Sequence, residues 1–285
     1  MLDVLLDGLL DSLKLIPFLF ITYVVMGIIE AASSAKMRDK ILNVGKTGPL
    51  WGALIGVIPQ CGFSAMGANF YAFRLITLGT LISIFFSTSD EMLPILISEA
   101  VNPLLIIKIL AIKVVIAVIT GFTIDIVLRL FAKAKAQDEE DEEFEFELSA
   151  GCNCGGGLWI NALAKTIRVL FYIFIFTEAL GIAVYLIGPD NFEAVMNAVP
   201  VLGPVVAAFI GLIPNCAASV AITQFYLEGA ISAGSMISGL LVSAGVGILV
   251  LLRENKSKRE NLYIIVLMLV LASLAGIGID AFGIL

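Results

Sequence analysis

Two copies of a short motif carry the residues best suited to chemistry. Residues 56–61 read GVIPQC and residues 211–216 read GLIPNC, so each copy ends in a side-chain amide and a thiol within an apolar stretch. Glycine and proline interrupt helices, and a backbone break inside a membrane must be satisfied by protein, water or ligand. Repeated polar breaks of this kind are typical of substrate sites in secondary transporters.

A pair of carboxylates offers a second kind of chemistry. Asp90 and Glu91 follow the hydroxyl run Ser87–Ser89 and precede Pro94 in another interrupted apolar segment. An ionised side chain at mid-membrane costs at least ~2.5–3.5 kcal/mol and usually persists for ion binding or proton relay. In the alternative interpretation both residues are solvated in an external loop, where they cap a helix that restarts at Met92. We favour ion binding at membrane depth.

Together these segments predict a polar chamber near the membrane midplane. Its expected lining comes from two hairpin tips and two interrupted helices: Gln60, Cys61, Ser64, Ser87, Thr88, Ser89, Asp90, Glu91, Asn215, Cys216, Ser219 and Ser243. The candidate metal ligands among them are Asp90, Glu91, Cys61 and Cys216, because carboxylates suit hard cations and thiolates suit soft ones. Both cysteines have an alternative role as small apolar packing residues.

Three further charged residues are candidates for ion coupling. Asp125 and Asp280 occupy matching places near one end of two apolar segments, where they fit either a coupling-ion site or, as we favour, plain interfacial carboxylates. Lys113 lies inside an apolar segment, and its counterpart is Met268. It would neutralise the carboxylate pair, meet an anionic substrate, or extend its ammonium to the outer surface.

The repetition extends beyond the motif to most of the chain. An offset of 155 residues aligns Gly79 with Gly234 and Gly121 with Gly276, and an offset of 154 aligns Gly27 with Gly181. The repeated units run from about 11 to 130 and from about 165 to 283. We therefore divide the chain into a first transmembrane repeat (1–132), an acidic linker (133–157) and a second transmembrane repeat (158–285).

Composition places the protein in a membrane. Hydrophobic residues make up 60% of the chain and charged residues 14%, and the mean hydropathy is +1.04. This is more apolar surface than a soluble domain of this size buries. Apolar runs at 13–33, 104–131, 158–187 and 262–285 exceed the ~20 residues that a spanning helix needs. The opening residues, MLDV, lack a basic stretch, so we expect no cleaved signal peptide.

The net charge of −7 originates in one loop. Eight of the 24 acidic residues lie between Asp138 and Glu147, and such a run is expected to be disordered. Cys152 and Cys154 follow it and are, by themselves, a weak signal for capture of a soft metal ion. The chain contains no histidine, the commonest transition-metal ligand. We expect no resident cofactor other than a bound transition-metal or sodium ion.

Loop charges predict the topology. Basic residues concentrate at 36–46 in the first copy and at 253–259 in the second, whereas 87–103 and 188–204 contain no Lys or Arg. Because basic short loops remain cytoplasmic, the two copies should lie in opposite orientations, with both termini outside and the acidic loop inside.

The apolar stretches at 49–73 and 205–226 are interrupted after about ten residues, which favours re-entrant hairpins. The segments at 75–100 and 230–252 read as broken helices. We therefore expect an all-α, polytopic membrane protein, built as an inverted-topology repeat of two five-segment halves with re-entrant hairpins and broken helices.

Three motifs resemble a bacterial family of ten-segment heavy-metal exporters, whose members are labelled arsenic efflux proteins or manganese transporters. Residues 58–64 (IPQCGFS), 87–94 (STSDEMLP) and 213–216 (IPNC) carry the resemblance, which spans most of the chain. It implies a ten-segment transporter. The central loop of this family is often longer and rich in His and Cys. Here the loop is short and contains no His and only Cys152 and Cys154, so we do not expect loop-based metal sensing.

The expected function is therefore secondary active transport across the inner (plasma) membrane, with export of a metal or metalloid ion such as manganese or arsenite by alternating access. The alternatives are a sodium- or proton-coupled transporter of a small organic ion and an ion channel. An enzyme is not expected, because the chain has no histidine and no nucleophile and base stand together. No Walker motif is present, so direct coupling to ATP is not expected either. The expected partners are the lipid bilayer, the transported ion and, if the protein oligomerises, further copies of the chain, but not nucleic acid.

Overall fold

A computed structural model describes residues 47–58, 61–88, 92–135, 203–214 and 216–283, together with parts of 16–24 and 162–175. All of these residues that form regular structure are helical. The first copy contributes α1 (Gly48–Gly56), α2 (Cys61–Ala72), α3 (Leu78–Ser87), α4 (Met92–Ser98) and α5 (Pro103–Lys135). The second copy contributes α6 (Gly203–Gly211), α7 (Cys216–Leu227), α8 (Ala233–Val242), α9 (Val246–Glu254) and α10 (Lys258–Phe282).

Within the part of the chain that the structure describes, four stretches are long and apolar enough to cross a membrane: 78–98, 103–130, 233–254 and 258–282. Two of them correspond to the apolar runs expected at 104–131 and 262–285. The expectation of an all-helical, polytopic membrane protein is thus confirmed. By contrast, α1 and α6 have nine residues each and rise only about 14 Å, less than half of the ~30 Å hydrocarbon layer.

The two copies pack in the same way. In the first, α3 lies between α1 and α5, and in the second α8 lies between α6 and α10. Contacts between the copies also repeat, because α2 packs against α9 just as α7 packs against α4, while α3 and α8 contact each other. The hairpin arm of each copy therefore rests on the broken helix of the other.

Burial separates an inner layer from an outer one. The most apolar part of the α8 and α9 pair is 94% buried, whereas the corresponding parts of α5 and α10 are each 28% buried. All ten residues of α3 are buried as well. The broken helices thus form the centre, and the apolar faces of α5 and α10 are left for lipid.

Glycine allows the helices around each broken helix to approach closely. Gly121 on α5 packs on α3, and its counterpart Gly276 on α10 packs on α8. A Cβ atom added at Gly276 would lie 2.7 Å from the Ser238 Cβ atom and 2.9 Å from the Pro204 Cβ atom. Small residues at such contacts are a general device of membrane helix packing, since apolar side chains gain little by leaving lipid.

Each broken helix also begins with the same set of caps. The Asp125 carboxylate accepts hydrogen bonds from the Gly79 backbone N–H at 2.9 Å and the Thr77 hydroxyl at 2.7 Å. In the second copy Asp280 accepts from the Gly234 N–H at 2.8 Å and from the Ser232 hydroxyl at 2.7 Å. A carboxylate at a helix N-terminus satisfies free N–H groups and complements the helix dipole. The last helix of each copy, α5 or α10, which we call the closing helix, therefore supports the start of a broken helix.

Gly276→Ala is expected to destabilise the protein by ~1–3 kcal/mol, because the new methyl group enters a closed contact between α8 and α10. Gly278→Ala, two residues later on the same helix, is the matched control, since a Cβ atom there meets nothing within 4 Å. Thermal unfolding of the purified protein in detergent measures both variants. Equal melting temperatures for the two would contradict the packing argument.

Asp125→Ala is expected to cost ~1–2 kcal/mol of stability, because two donors at the start of α3 lose their acceptor. Thr77→Ser keeps the hydroxyl that donates to Asp125 and accepts from the Thr80 N–H, so it should cost less. The melting temperature of each variant checks this order. A change in ion affinity with an unchanged melting temperature would assign Asp125 to ion binding instead of capping.

Candidate functional site

The broken helices end in the middle of the structure. α3 ends at Ser87, and Thr88 already has an extended ψ of 133°. α8 ends at Val242, and residues 243–245 are not helical before α9 begins. Gly245 takes a φ of 51°, a conformation that residues with side chains rarely adopt. Because the last four carbonyl groups of a helix have no partner within it, both ends require donors from elsewhere.

Lys113 supplies such a donor to both ends at once. Its side chain is 1% exposed and projects from α5 into the centre. The ammonium donates to the Thr88 carbonyl and, at 3.3 Å, to the Leu240 carbonyl in the last turn of α8. A cation at a helix C-terminus is favourable because the dipole is negative there. The alternative in which Lys113 reaches the outer surface is therefore wrong.

Five of the hydroxyl-bearing residues expected at the site are buried. Ser64, Ser87, Thr88, Ser219 and Ser243 are all at most 7% exposed. The Ser87 hydroxyl donates to the Ser83 carbonyl at 2.8 Å, and the Thr88 hydroxyl donates to the Ile84 carbonyl at 2.7 Å. Their protons thus bond the preceding turn of α3 and satisfy two of its carbonyl groups.

The first turn of α2 reaches the break of the second copy. A Cβ atom added at Gly247, in the first turn of α9, would lie 2.8 Å from the Ser64 Cβ atom and 2.9 Å from the Phe85 ring. Ser64 belongs to the first turn of α2, three residues after Cys61. The first turn of α2, the end of α3 and the start of α9 are therefore neighbours.

Several expected site residues lie outside the described part of the chain: Gln60, Ser89, Asp90, Glu91 and Asn215. The linker cysteines, Cys152 and Cys154, lie outside it as well. Cys61 and Cys216 are the first residues of α2 and α7, but their side chains also lie outside it. Within the described residues no group of three or more Cys, Asp and Glu side chains is placed to hold a metal ion. The metal ligands therefore remain predictions, and Asp125 and Asp280 are placed as helix caps.

A polar contact between the copies was not anticipated from the sequence. The Arg74 guanidinium, in the turn between α2 and α3, donates to both Glu260 carboxylate oxygens at 2.5 and 2.7 Å. The Tyr71 hydroxyl donates to the same carboxylate, and Arg74 lies 5.4 Å from the Tyr71 ring centroid. We call these three residues the Arg74 latch. The hydrogen bond with Glu260 raises the pKa of Arg74 above its ordinary value, so the arginine stays charged.

A second bridge lies one turn deeper on the same side. The Tyr23 hydroxyl lies within hydrogen-bonding distance of Asn69 on α2, at 3.4 Å, and of Glu254 at the end of α9, at 3.3 Å. Since Ser64 already meets the start of α9, α2 and α9 run side by side in the same direction. Both end at the surface that carries the latch, which we call the Arg74 face.

The latch has no equivalent in the second copy. Gly229 and Leu105 occupy the places of Arg74 and Glu260, and neither residue carries a charge that could form an ion pair. The turn at Arg74 is also strained, because the Arg74 backbone has a φ of 58°, in the region that Gly229 occupies with a φ of 75°. A left-handed conformation is unfavourable for a residue with a side chain. The sequence contained one signal of this contact: Arg74 stands at a turn where the other copy has a glycine, Gly229.

Comparison with known proteins agrees with this architecture. Residues 2–187 match the model of a family described as "Putative, 10TM heavy-metal exporter". No curated protein and no solved structure matches the chain significantly. The match covers the first repeat, the linker and the start of the second repeat, including two of the three motifs that suggested the resemblance. The chain therefore belongs to this family of ten-segment heavy-metal exporters.

Proposed function

We propose that the protein is a secondary active transporter that exports a metal or metalloid ion by alternating access through a site near the membrane midplane. One observation carries this proposal: the Lys113 ammonium joins the C-terminal ends of α3 and α8, one from each copy. Interrupted helices inside a membrane are tolerated where they line a cavity or bind a ligand. Sites between repeats, formed by such helices, are typical of secondary transporters.

The depth of this point supports a midplane site. Asp125 caps the start of α3, which follows the surface turn at Arg74. Lys113 precedes Asp125 by twelve residues on the same helix, which corresponds to about 18 Å. This is close to half of the ~30 Å hydrocarbon layer. The ends of α3 and α8 would then be equally far from both membrane surfaces.

An inverted arrangement of the repeats is supported by the order of contacts along the chain. α3 starts beside the Arg74 face and ends at Lys113. α8 also ends at Lys113, while α9 continues from that break towards the Arg74 face, where Glu260 follows it. α8 must then approach the break from the opposite side. The two copies would consequently lie upside down relative to each other, as their loop charges predict.

The substrate is proposed to bind where the hairpin tips meet this break. The family is one of heavy-metal exporters, and residues near the break have the chemistry for such ions. Asp90 and Glu91 follow Thr88 by two and three residues and suit a hard divalent cation, whereas Cys61 and Cys216 begin α2 and α7 and suit a thiophilic species. Mutations of each set distinguish the two classes.

The protein reconstituted in liposomes is expected to transport Mn²⁺, Zn²⁺ or arsenite with a flux that saturates at high concentration. Asp90→Asn should lower the flux of a hard cation by about tenfold or more, because one of few ligands is lost. The Cys61→Ser, Cys216→Ser double variant should lower arsenite flux to a similar extent. Uptake of each ion, measured separately, checks both expectations.

The linker variant Cys152→Ser, Cys154→Ser is the matched control, because it removes two thiols away from the proposed site. It should transport as the wild type does. Electrical currents of many ions per opening would show a channel and overturn the carrier mechanism. Wild-type flux that all these variants reproduce would overturn the site.

The Arg74 latch is proposed to close one face of the transporter. It joins the end of α2 in one copy to the start of α10 in the other, so it must break when those elements separate. Arg74 keeps a strained left-handed backbone conformation, which indicates that its side chain is needed at the turn. By the loop-charge rule the Arg74 face would be cytoplasmic.

Glu260→Leu places the residue found at the equivalent position, Leu105, into the latch. In a protein without Cys152, Cys154 and Cys216, we expect it to raise the labelling rate of Cys61 by a membrane-impermeant maleimide several-fold from the Arg74 face. Arg74→Gly should act similarly while relieving the backbone strain. Glu228→Leu, beside Gly229 at the opposite turn, is the control. Labelling rates that neither latch variant changes would contradict the closing role.

A further inference from the structure

The position of the Lys113 ammonium is that of a bound cation. Two of its partners, the carbonyl groups of Thr88 and Leu240, lie at helix ends from different copies. Carbonyl oxygens at the C-terminal ends of half-helices are the groups with which transporters coordinate sodium. We propose that Lys113 occupies, as a tethered cation, a monovalent-cation site formed by the ends of α3 and α8, and that the protein therefore works without sodium at this site.

The second copy shows that the helix fold does not require a lysine here. Met268 takes the equivalent place on α10 and is fully buried. A charged group at mid-membrane is expensive, whereas methionine is not. The packing of α5 therefore does not explain the Lys113 ammonium, whereas its hydrogen bonds to the helix ends do.

The surroundings favour a cation at this point. α3 and α8 contain no charged residue. On α5, Lys108 is exposed, and Asp125 is engaged by the start of α3. The groups supplied by α3 and α8 are therefore carbonyl oxygens carrying the negative ends of two helix dipoles. Asp90 and Glu91 follow Thr88 closely and would add negative charge.

A tethered cation differs from a bound one in its consequences. Sodium dissociates and can couple transport to its gradient, whereas a lysine side chain stays attached. Lys113 would therefore hold α3 and α8 together in every cycle without sodium. This inference deepens the proposed function by excluding sodium coupling at the central break, and it rests on that function only for its relevance to transport.

Lys113→Met tests the inference, because methionine refills the aliphatic space and leaves room for one ion near the position of the ammonium. We expect the wild-type melting temperature to be equal in NaCl and choline chloride at one ionic strength. The variant should melt lower in choline and gain about 4 °C at tenfold the dissociation constant of Na⁺ or NH₄⁺. Thermal unfolding in detergent measures these shifts without any transport assay.

Lys113→Ala provides a second test, since propylammonium matches the part of the side chain that it lacks. Propylammonium should stabilise this variant saturably, and neutral 1-propanol at the same concentration should not. The inference is overturned if neither variant responds to a monovalent cation, or if the wild type is itself stabilised by sodium over choline. Stabilisation of the wild type by phosphate or arsenate that Lys113→Met loses would assign the ammonium to an anionic ligand instead.

If a variant does not fold, transport by the wild-type protein still tests the inference. Flux of Mn²⁺, Zn²⁺ or arsenite that persists unchanged when choline replaces sodium agrees with a tethered cation. Flux that requires sodium, together with stabilisation of the wild type by sodium over choline, overturns it. Absence of any flux in the presence of sodium, with the expected melting shifts, would instead refute the proposed transport function and leave the cation site standing.

Discussion

The structure depends on one constraint: peptide groups released by breaking a helix inside a bilayer must find partners within the protein. Water is absent from the hydrocarbon layer, so each unsatisfied group costs several kcal/mol. α3 and α8 end in the buried centre, and Lys113 donates to a carbonyl group from each of them. The same contact that makes the breaks tolerable also ties the two copies of the chain together.

The remaining contacts hold the broken helices in position for this meeting. Their starts are capped by Asp125 and Asp280 from the closing helices, in contacts of almost equal length. Glycine residues at 121 and 276 remove the side chains that would separate α5 from α3 and α10 from α8. Because membrane helices gain little from apolar burial, hydrogen bonds and close packing carry the specificity of such contacts.

Departures from the repeat give the two copies different roles. The pairs Arg74 and Gly229, and Lys113 and Met268, occupy equivalent places with different chemistry. A protein made of identical halves would have two equal faces and no preferred direction. The charged residue in each pair lies in the first copy, where Arg74 binds Glu260 of the second copy at one surface and Lys113 lies at the central break. Function is therefore expected in these asymmetries as much as in the shared motif.

The sequence by itself determined the helical membrane class, the repeat and the presence of broken helices at 75–100 and 230–252, since hydropathy, an offset of 155 residues and helix-breaking residues are local signals. Burial of Lys113 and the ion pair between Arg74 and Glu260 were decided only by tertiary structure. These contacts join residues 127 and 186 positions apart. Such partners follow from how the copies interlock, a three-dimensional arrangement that no spacing along one chain expresses.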